Sequence, residues 1–225
     1  MASAEYAFNH RGYGTHQAII ELVEVGTTVL DVGCASGYLM ENLRRTKNCH
    51  CVGIEPNPVA AGRASALGFD VITSTAIDAL AAKRKSGDQF YHIIFGDVLE
   101  HMTEPQQVLE RCRSLLAPNG TIIVSLPNIV SLRARVRIAC GIWRYEEMGI
   151  FDRTHLRFYT IRTGQELLTQ AGLAIVDQHF VGPLTYYGGR RLEGVTRLRP
   201  QLFANNMILA ARQLADIQNA TIHFS

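Results

Sequence analysis

The sequence predicts an α/β protein built on a doubly wound, mostly parallel sheet with helices on both faces. Three observations predict it. Short apolar runs alternate with amphipathic segments from about residue 16 to residue 126. Two of those runs end in glycine and an acidic residue, where open parallel sheets bind ligands. The 225 residues, 47% hydrophobic and 19% charged, suit one domain over 1–225 with a sizeable core.

The elements follow in order. His16–Val25 reads as a leading helix and Thr28–Val32 as the first strand, followed by a helix over about Ser36–Arg45. His50–Ile54 is the second strand. Asn57 and Pro58 then supply a cap and a first-turn proline for a helix ending near Gly68. Asp70–Thr73 and Tyr91–Phe95 are strands three and four. Glu104–Leu116 is a helix with Val108, Leu109, Cys112, Leu115 and Leu116 on one face. Pro118-Asn119-Gly120 is a turn into a fifth strand, Thr121–Leu126. The alternation then stops. Residues 127–160 read as an insert or lid holding a helix over Ile129–Cys140. Thr163-x-x-Glu166 reads as a capping box, for a helix that stops at Gly172. Leu173–Val181 and Gln201–Ala211 form a closing strand pair across a long loop, 182–200.

Val29–Leu39, Val-Leu-Asp-Val-Gly-Cys-Ala-Ser-Gly-Tyr-Leu, carries the clearest chemistry. Small residues at a strand-to-helix turn let a ligand approach the backbone and face a helix N-terminus. Asp31, two residues before Gly33, would repel a pyrophosphate and attract an ammonium group or another cation. Glu55 lies 22 residues after Gly33 at the end of the second strand, where a carboxylate accepts ribose hydroxyls. That pair fits S-adenosylmethionine (SAM), which carries an α-ammonium and a sulfonium. It leaves NAD as the competing ligand, although Gly33-x-Ala35-x-Gly37 is not the pyrophosphate fingerprint.

With these residues in view, the chain resembles the class I SAM-dependent methyltransferases. Val29–Leu39 resembles their first motif and Gly53-Ile54-Glu55-Pro56-Asn57 their second. Phe95–Met102 resembles the fourth-strand segment, and Leu116–Thr121 the turn before strand five. The resemblance implies a Rossmann-like seven-stranded sheet of order 3-2-1-4-5-7-6 with the last strand antiparallel. It implies SAM contacts from Asp31, Gly33, Cys34, Ala35 and Gly37, ribose contacts from Glu55, and an adenosine neighbour in Pro56. Gly96, Asp97 and Val98 would line the site at the end of strand four. Ser74-Thr75 stands where many members place Gly-Asp against the adenine.

The acceptor side is read from fewer signals. Glu100-His101 resembles a pair in quinone-type O-methyltransferases, which makes His101 the expected general base. Phe151–Thr160 resembles a segment of a bacterial methyltransferase subgroup, and Asp152 and His155 in it are further catalytic candidates. Trp143 and Tyr145 frame a substrate pocket or simply pack. Tyr6, His10 and Tyr13 are placed over the cofactor by the resemblance. Arg190, Arg191, Arg197 and Arg199 point to an anionic acceptor.

The expected function is methyl transfer from SAM to a small-molecule or glycan-linked acceptor, at oxygen. The alternative is a SAM-binding partner protein, as some relatives resembling the methionine-biosynthesis methyltransferase-like protein are. Residues 131–200 hold 11 Arg and no Lys against 6 acidic residues, a local charge of +5 within a chain of +2. The Ile129–Cys140 helix, with Arg133, Arg135 and Arg137, is a lid, a peripheral membrane contact or an ordinary packed helix. No basic run interleaved with aromatics points to nucleic acid. Five cysteines without a framework and a polar N-terminal stretch point to a reducing, cytoplasmic setting. No metal site is expected.

Overall fold

A seven-stranded sheet of order β3-β2-β1-β4-β5-β7-β6 organises the molecule. The computed structural model describes residues 14–188, 191 and 193–216. The sheet is formed by β1 (Thr28–Val32), β2 (His50–Ile54), β3 (Asp70–Ile72), β4 (Phe90–Gly96), β5 (Leu116–Pro127), β6 (Leu173–Val181) and β7 (Asn206–Gln213). The first five are parallel, and β7 runs antiparallel to both β5 and β6. Strands β1, β4 and β5 are almost wholly buried, as sandwiched parallel strands must be.

Helices cover both faces. On one, α1 (Thr15–Leu22), α2 (Tyr38–Lys47) and α3 (Pro58–Ala66) bury Ile19, Leu43 and Ala64 with Val29, Ile94 and Ile208 of the sheet. On the other, α4 (Ala76–Ser86), α5 (Pro105–Arg113) and α7 (Ile161–Gln170) bury Leu80, Leu109 and Leu168 with Leu30, Ile93 and Leu209. Asn57 caps α3 by accepting from the amides of Val59 and Ala60, with Pro58 in the first turn, as its sequence predicts.

Several boundaries differ from the sequence reading. Helix α1 stops at Leu22, so Val25 is exposed before the Gly26 turn. Helix α4 has no counterpart in the sequence reading. Its signals are the Thr75 cap and the left-handed Gly87 after Lys83-Arg84-Lys85. The helix-opening box sits one turn early, at Thr160 and Thr163, each side chain paired with the other's backbone amide; Glu166 instead pairs with Arg162 on the surface. Residues 118–120 bulge within β5 instead of preceding it. The register passes from Phe90↔Leu116 to His92↔Thr121, and Asn119 takes φ +60°.

The largest correction concerns 182–205. In place of a long loop stand three short helices, α8 (Pro183–Gly188), α9 (Glu193–Leu198) and α10 (Pro200–Phe203), and β7 begins only at Asn206. The insert helix α6 (Leu132–Ala139) is also shorter than predicted. The Asn128 side chain donates to the carbonyls of Gln201 and Ala204 and accepts from Val130, so Ser131 becomes the cap. Ala134 alone on α6 is buried, whereas Leu132, Val136 and Ile138 stand about half exposed.

Candidate active site

Two clefts meet at the carboxyl ends of β1, β4 and β5. The first is the crevice between β1 and β2. Asp31 ends β1 buried, and the backbone turns out through Gly33 (φ +80°), Ala35 (φ +48°) and Gly37 (φ +82°) into the α2 N-terminus. Gly33 and Gly37 are required twice over. Their conformation is left-handed, and a Cβ would lie 2.6 Å from Val98 at Gly33 and 3.0 Å from Ala64 at Gly37. Gly53 on β2 lets the loop lie against the sheet, since a Cβ there would sit 2.5 Å from Cys34 Sγ.

Glu55 braces this loop. One carboxylate oxygen accepts from the Ala35 amide (3.0 Å) and the other from Asn57 (2.8 Å). A carboxylate offers about four lone-pair positions, so room remains for two ribose hydroxyls. Burial, with Glu55 nearby, raises the Asp31 carboxyl to about 7. A buried acid so poised is stabilised in its ionised form by a cationic ligand, the property expected of the residue facing an ammonium. Burial also holds the Cys34 thiol well above its usual range, so Cys34 serves as packing beneath the loop. Pro56 is exposed at the crevice edge. Thr75 Oγ1 is engaged with the α4 N-terminus, accepting from Asp78 N and donating to its carboxylate, so its hydroxyl proton is already committed.

The second cleft is a cavity of about 220 Å³ where β4 and β5 end and β7 begins, beneath the insert. Asp97, His101 and His155 line it together with Thr15, Arg133, Glu146, Asn206 and the 148–151 loop. Gly96 packs near Ile19 of α1, and Asp97 follows it with φ +54°. That strained turn is pinned from two strands: Asp97 N donates to Ser125 Oγ (2.8 Å), while Ser125 Oγ and Asn206 Nδ2 both donate to Asp97 Oδ1.

A 3₁₀ turn, Leu99–His101, brings Glu100 and His101 together below it. Glu100 is buried, and one of its oxygens has no hydrogen-bond partner among the described residues. Desolvation and then Asp97 push this carboxyl far above the usual range, so its charged form is disfavoured. His155 Nε2 lies 3.9 Å from Glu100 Oε1, and its ring meets that of His101 edge-on at 4.8 Å. Burial, then the neighbouring His101, lowers the His155 pKa. His101 Nδ1 faces Thr154, 3.0 Å from Oγ1 and 3.2 Å from the backbone carbonyl. The ligand atoms of Glu100, His101 and His155 lie within 4.8 Å of one another. That grouping has the residue types and proximity to hold a metal ion as well as to exchange protons.

Asp152 is buried outside the cavity lining, hydrogen-bonded to Thr154. It is therefore no acceptor contact in this structure, because its carboxylate is turned into the 152–154 bend. Trp143 packs edge-on against Phe151 (5.2 Å) and Phe158 (5.6 Å); of the three, Phe151 reaches the cavity. Sequence reasoning missed Asn206, Arg133 and Glu146 as cavity groups, Ser125 as the Asp97 partner and Thr154 as the His101 partner. Only Asp152-x-Thr154, a side chain-to-backbone turn pattern, was there to be read. Tyr6, His10, Tyr13 and Arg190 lie outside the described residues.

The fold and both clefts can now be set beside known proteins. A model described as a methyltransferase domain matches residues 10–178, which covers the crevice, most of the cavity lining and the sheet into β6. The chain belongs to the class I SAM-dependent methyltransferase family. This methyltransferase is 31% identical over 160 residues to a ubiquinone biosynthesis O-methyltransferase of Cereibacter sphaeroides, covering 68% of the chain and 62% of that relative. It is 30% identical over 186 residues to that of a Shewanella strain, 81% and 76% of the two lengths. The matched region thus spans a little under two thirds of the first of these relatives. A SAM-dependent methyltransferase of Archaeoglobus fulgidus shares its fold at TM-score 0.64 and 20% identity, over 88% and 90% of the chains. So does the [4+2]-cyclase SpnF at 0.60 and 18%, over 92% and 88%. The site residues fit SAM: a buried acid raised to about 7 for its cation and a strand-end carboxylate for its ribose.

Proposed function

We propose that the protein methylates a hydroxyl of a small phenolic acceptor, with SAM bound over Asp31–Gly37 and Glu55, and His101 taking the acceptor's proton. The observation that carries this reading is the adjoining pair of clefts. The cavity holding His101 is lined by Asp97 at the end of β4, the strand beside β1 and its cofactor crevice. When bound, SAM supplies a methyl group activated by its sulfonium. The protein's part is to align the acceptor oxygen and exclude water. Asp97, pinned by Ser125 and Asn206, fixes the wall between donor and acceptor. His155, whose pKa burial lowers, and Glu100, whose carboxyl burial raises, form a floor under His101 that disfavours charge, and so leaves the proton to His101. Arg133 at the cavity rim supports an acceptor carrying an acidic group.

The test is methyl transfer from labelled SAM to a panel of catechols, 3,4-dihydroxybenzoate among them. His101→Gln is expected to lower kcat by about 10²–10⁴ with an unchanged calorimetric SAM Kd. An unchanged kcat removes His101 as the base. SAM binding without turnover of any acceptor returns the protein to the role of a SAM-binding partner.

One further observation favours peripheral membrane contact. Around α6, half-exposed Leu132, Val136, Ile138, Ile142 and Trp143 stand among Arg133, Arg135 and Arg144. Co-sedimentation with phosphatidylglycerol vesicles, and not with phosphatidylcholine, is the expected result. Val136→Glu should abolish it.

A further inference from the structure

We propose that Thr154, backed by Asp152, is a positioning residue that holds His101 as its Nδ1–H tautomer and leaves Nε2 as the basic nitrogen. This rests on the reading of His101 as the base. His101 Nδ1 lies 3.2 Å from the Thr154 carbonyl oxygen. A carbonyl can only accept, so Nδ1 donates. The Thr154 hydroxyl, 3.0 Å from the same nitrogen, is oriented to agree. Its proton goes to Asp152 Oδ1 at 2.6 Å, which turns an oxygen lone pair toward His101. Asp152 Oδ1 also accepts from Thr154 N (2.7 Å), so one buried carboxylate oxygen fixes both the backbone and the side chain of Thr154.

The 151–160 segment is itself fastened to the turn that carries the base. Leu156 N and Arg157 N both donate to the Glu100 carbonyl (2.9 and 3.1 Å), and the Arg157 guanidinium donates to the carbonyl of Thr103. The segment grips the chain on both sides of His101, and Thr154 reaches it from a frame that cannot slide. The charged and titratable groups around the imidazole are Asp97 and Glu100 from the β4 end, His155 and Asp152 from this segment, and Arg133 and Glu146 from the insert. Among the described residues, Thr154 alone contacts a ring nitrogen of His101 within hydrogen-bond distance.

The consequence for the reaction is specific. As the acceptor oxygen bonds the methyl carbon, the carbon–sulfur bond breaks and its electron pair stays on sulfur. The acceptor proton passes to Nε2, and the resulting imidazolium donates through Nδ1 to Thr154, whose hydroxyl leans on the Asp152 carboxylate. An Nε2–H tautomer has no lone pair at that nitrogen and is inactive. This orienting of an imidazole by a group on its other nitrogen is a general device.

The test is the ring ¹⁵N–¹H correlation spectrum of the full chain, with His101 signals assigned by their loss in His101→Gln. Wild type is expected to show the Nδ1–H form. Thr154→Val, nearly isosteric and at an exposed position, keeps the carbonyl but removes the hydroxyl and its tie to Asp152, so it should raise the share of the Nε2–H form, and Thr154→Ser should restore the wild-type spectrum. With 3,4-dihydroxybenzoate as acceptor, Thr154→Val and Asp152→Asn should lower kcat about tenfold at constant KM and SAM Kd, with Thr154→Ser recovering it. An Nε2–H wild type, or a spectrum unmoved by Thr154→Val, overturns the proposal whatever the turnover. Should His101→Gln retain full activity, the base assignment fails separately, while the spectra still decide the tautomer.

Discussion

The cofactor crevice and the acceptor cavity lie side by side at one edge of the sheet but are assembled differently. The crevice comes from one βαβ unit: Asp31, the Gly33–Gly37 turn and Glu55 lie within 25 consecutive residues. Their contacts are backbone turns and a carboxylate on nearby amides. The cavity draws on the α1 start, the β4 end, the insert and the start of β7, and its key pairs span 28 to 109 residues. The crevice reads a ligand through local chain geometry, which a motif can encode. The cavity reads its ligand through tertiary adjacency, which no motif encodes.

Perturbing each side separately sharpens that contrast. The largest effect is expected on the cofactor side. Glu55→Ala removes the acceptor for two loop amides as well as the ribose carboxylate, and should weaken SAM binding about 100-fold, at roughly 1.5–3 kcal/mol for hydrogen bonds to a charged group. The catechol KM should stay unchanged. A shift in acceptor KM as large as that in Kd would break the separation.

Asp31 gives the next effect, and its sign runs opposite for stability and binding. Its folded pKa, about 7, is raised above the usual 3.8. At low pH it is neutral in both states and costs nothing. As pH rises between about 4 and 7 the unfolded chain ionises first, and stability is lost through that window. Binding a cation reverses the preference. SAM affinity should therefore fall by up to about tenfold per pH unit below 7, with proton release visible as buffer-dependent calorimetric heats. Asp31→Asn should raise Tm at pH 8 by several degrees, at about 2–4 °C per kcal/mol, and weaken SAM binding. A variant that is both less stable and unimpaired in binding contradicts this account.

The smallest effect is expected at Ala35, which adopts φ +48° without being glycine. Left-handed strain costs about 1–2 kcal/mol and glycine entropy returns about half. Ala35→Gly should raise Tm by about 1–3 °C and leave the cavity untouched; thermal melts with and without SAM measure both.

How much was legible follows the same divide. Periodicity placed the central strands β1, β2, β4 and β5, because buried parallel strands are runs of apolar residues whatever surrounds them, and found the closing pair with β7 starting five residues later than read. Residues Asp31, Gly33 and Glu55 announced themselves by their spacing along one βαβ unit. Helix α4 escaped because its interior, Ala-Ile-Asp-Ala-Leu-Ala-Ala, buries only Ala79 and Leu80 and shows little contrast between faces. The three short helices of 182–205 escaped because glycine and proline read as loop, whereas tertiary bonds such as Asn128 to Ala204 hold them. His101 was visible as a residue; its partner Thr154, 53 positions on, was visible only once the insert folded back.

The position of β7 has a consequence in time. It is the last strand to leave the ribosome, yet it lies inside the sheet between β5 and β6, and its first residue, Asn206, reaches Asp97. A nascent chain can form the β1–β5 crevice early and meet SAM there. It cannot seat β6 or finish the Asp97 wall until residues 206–213 emerge. The donor crevice is thus encoded within the first half of the chain, whereas the Asp97 wall waits for β7.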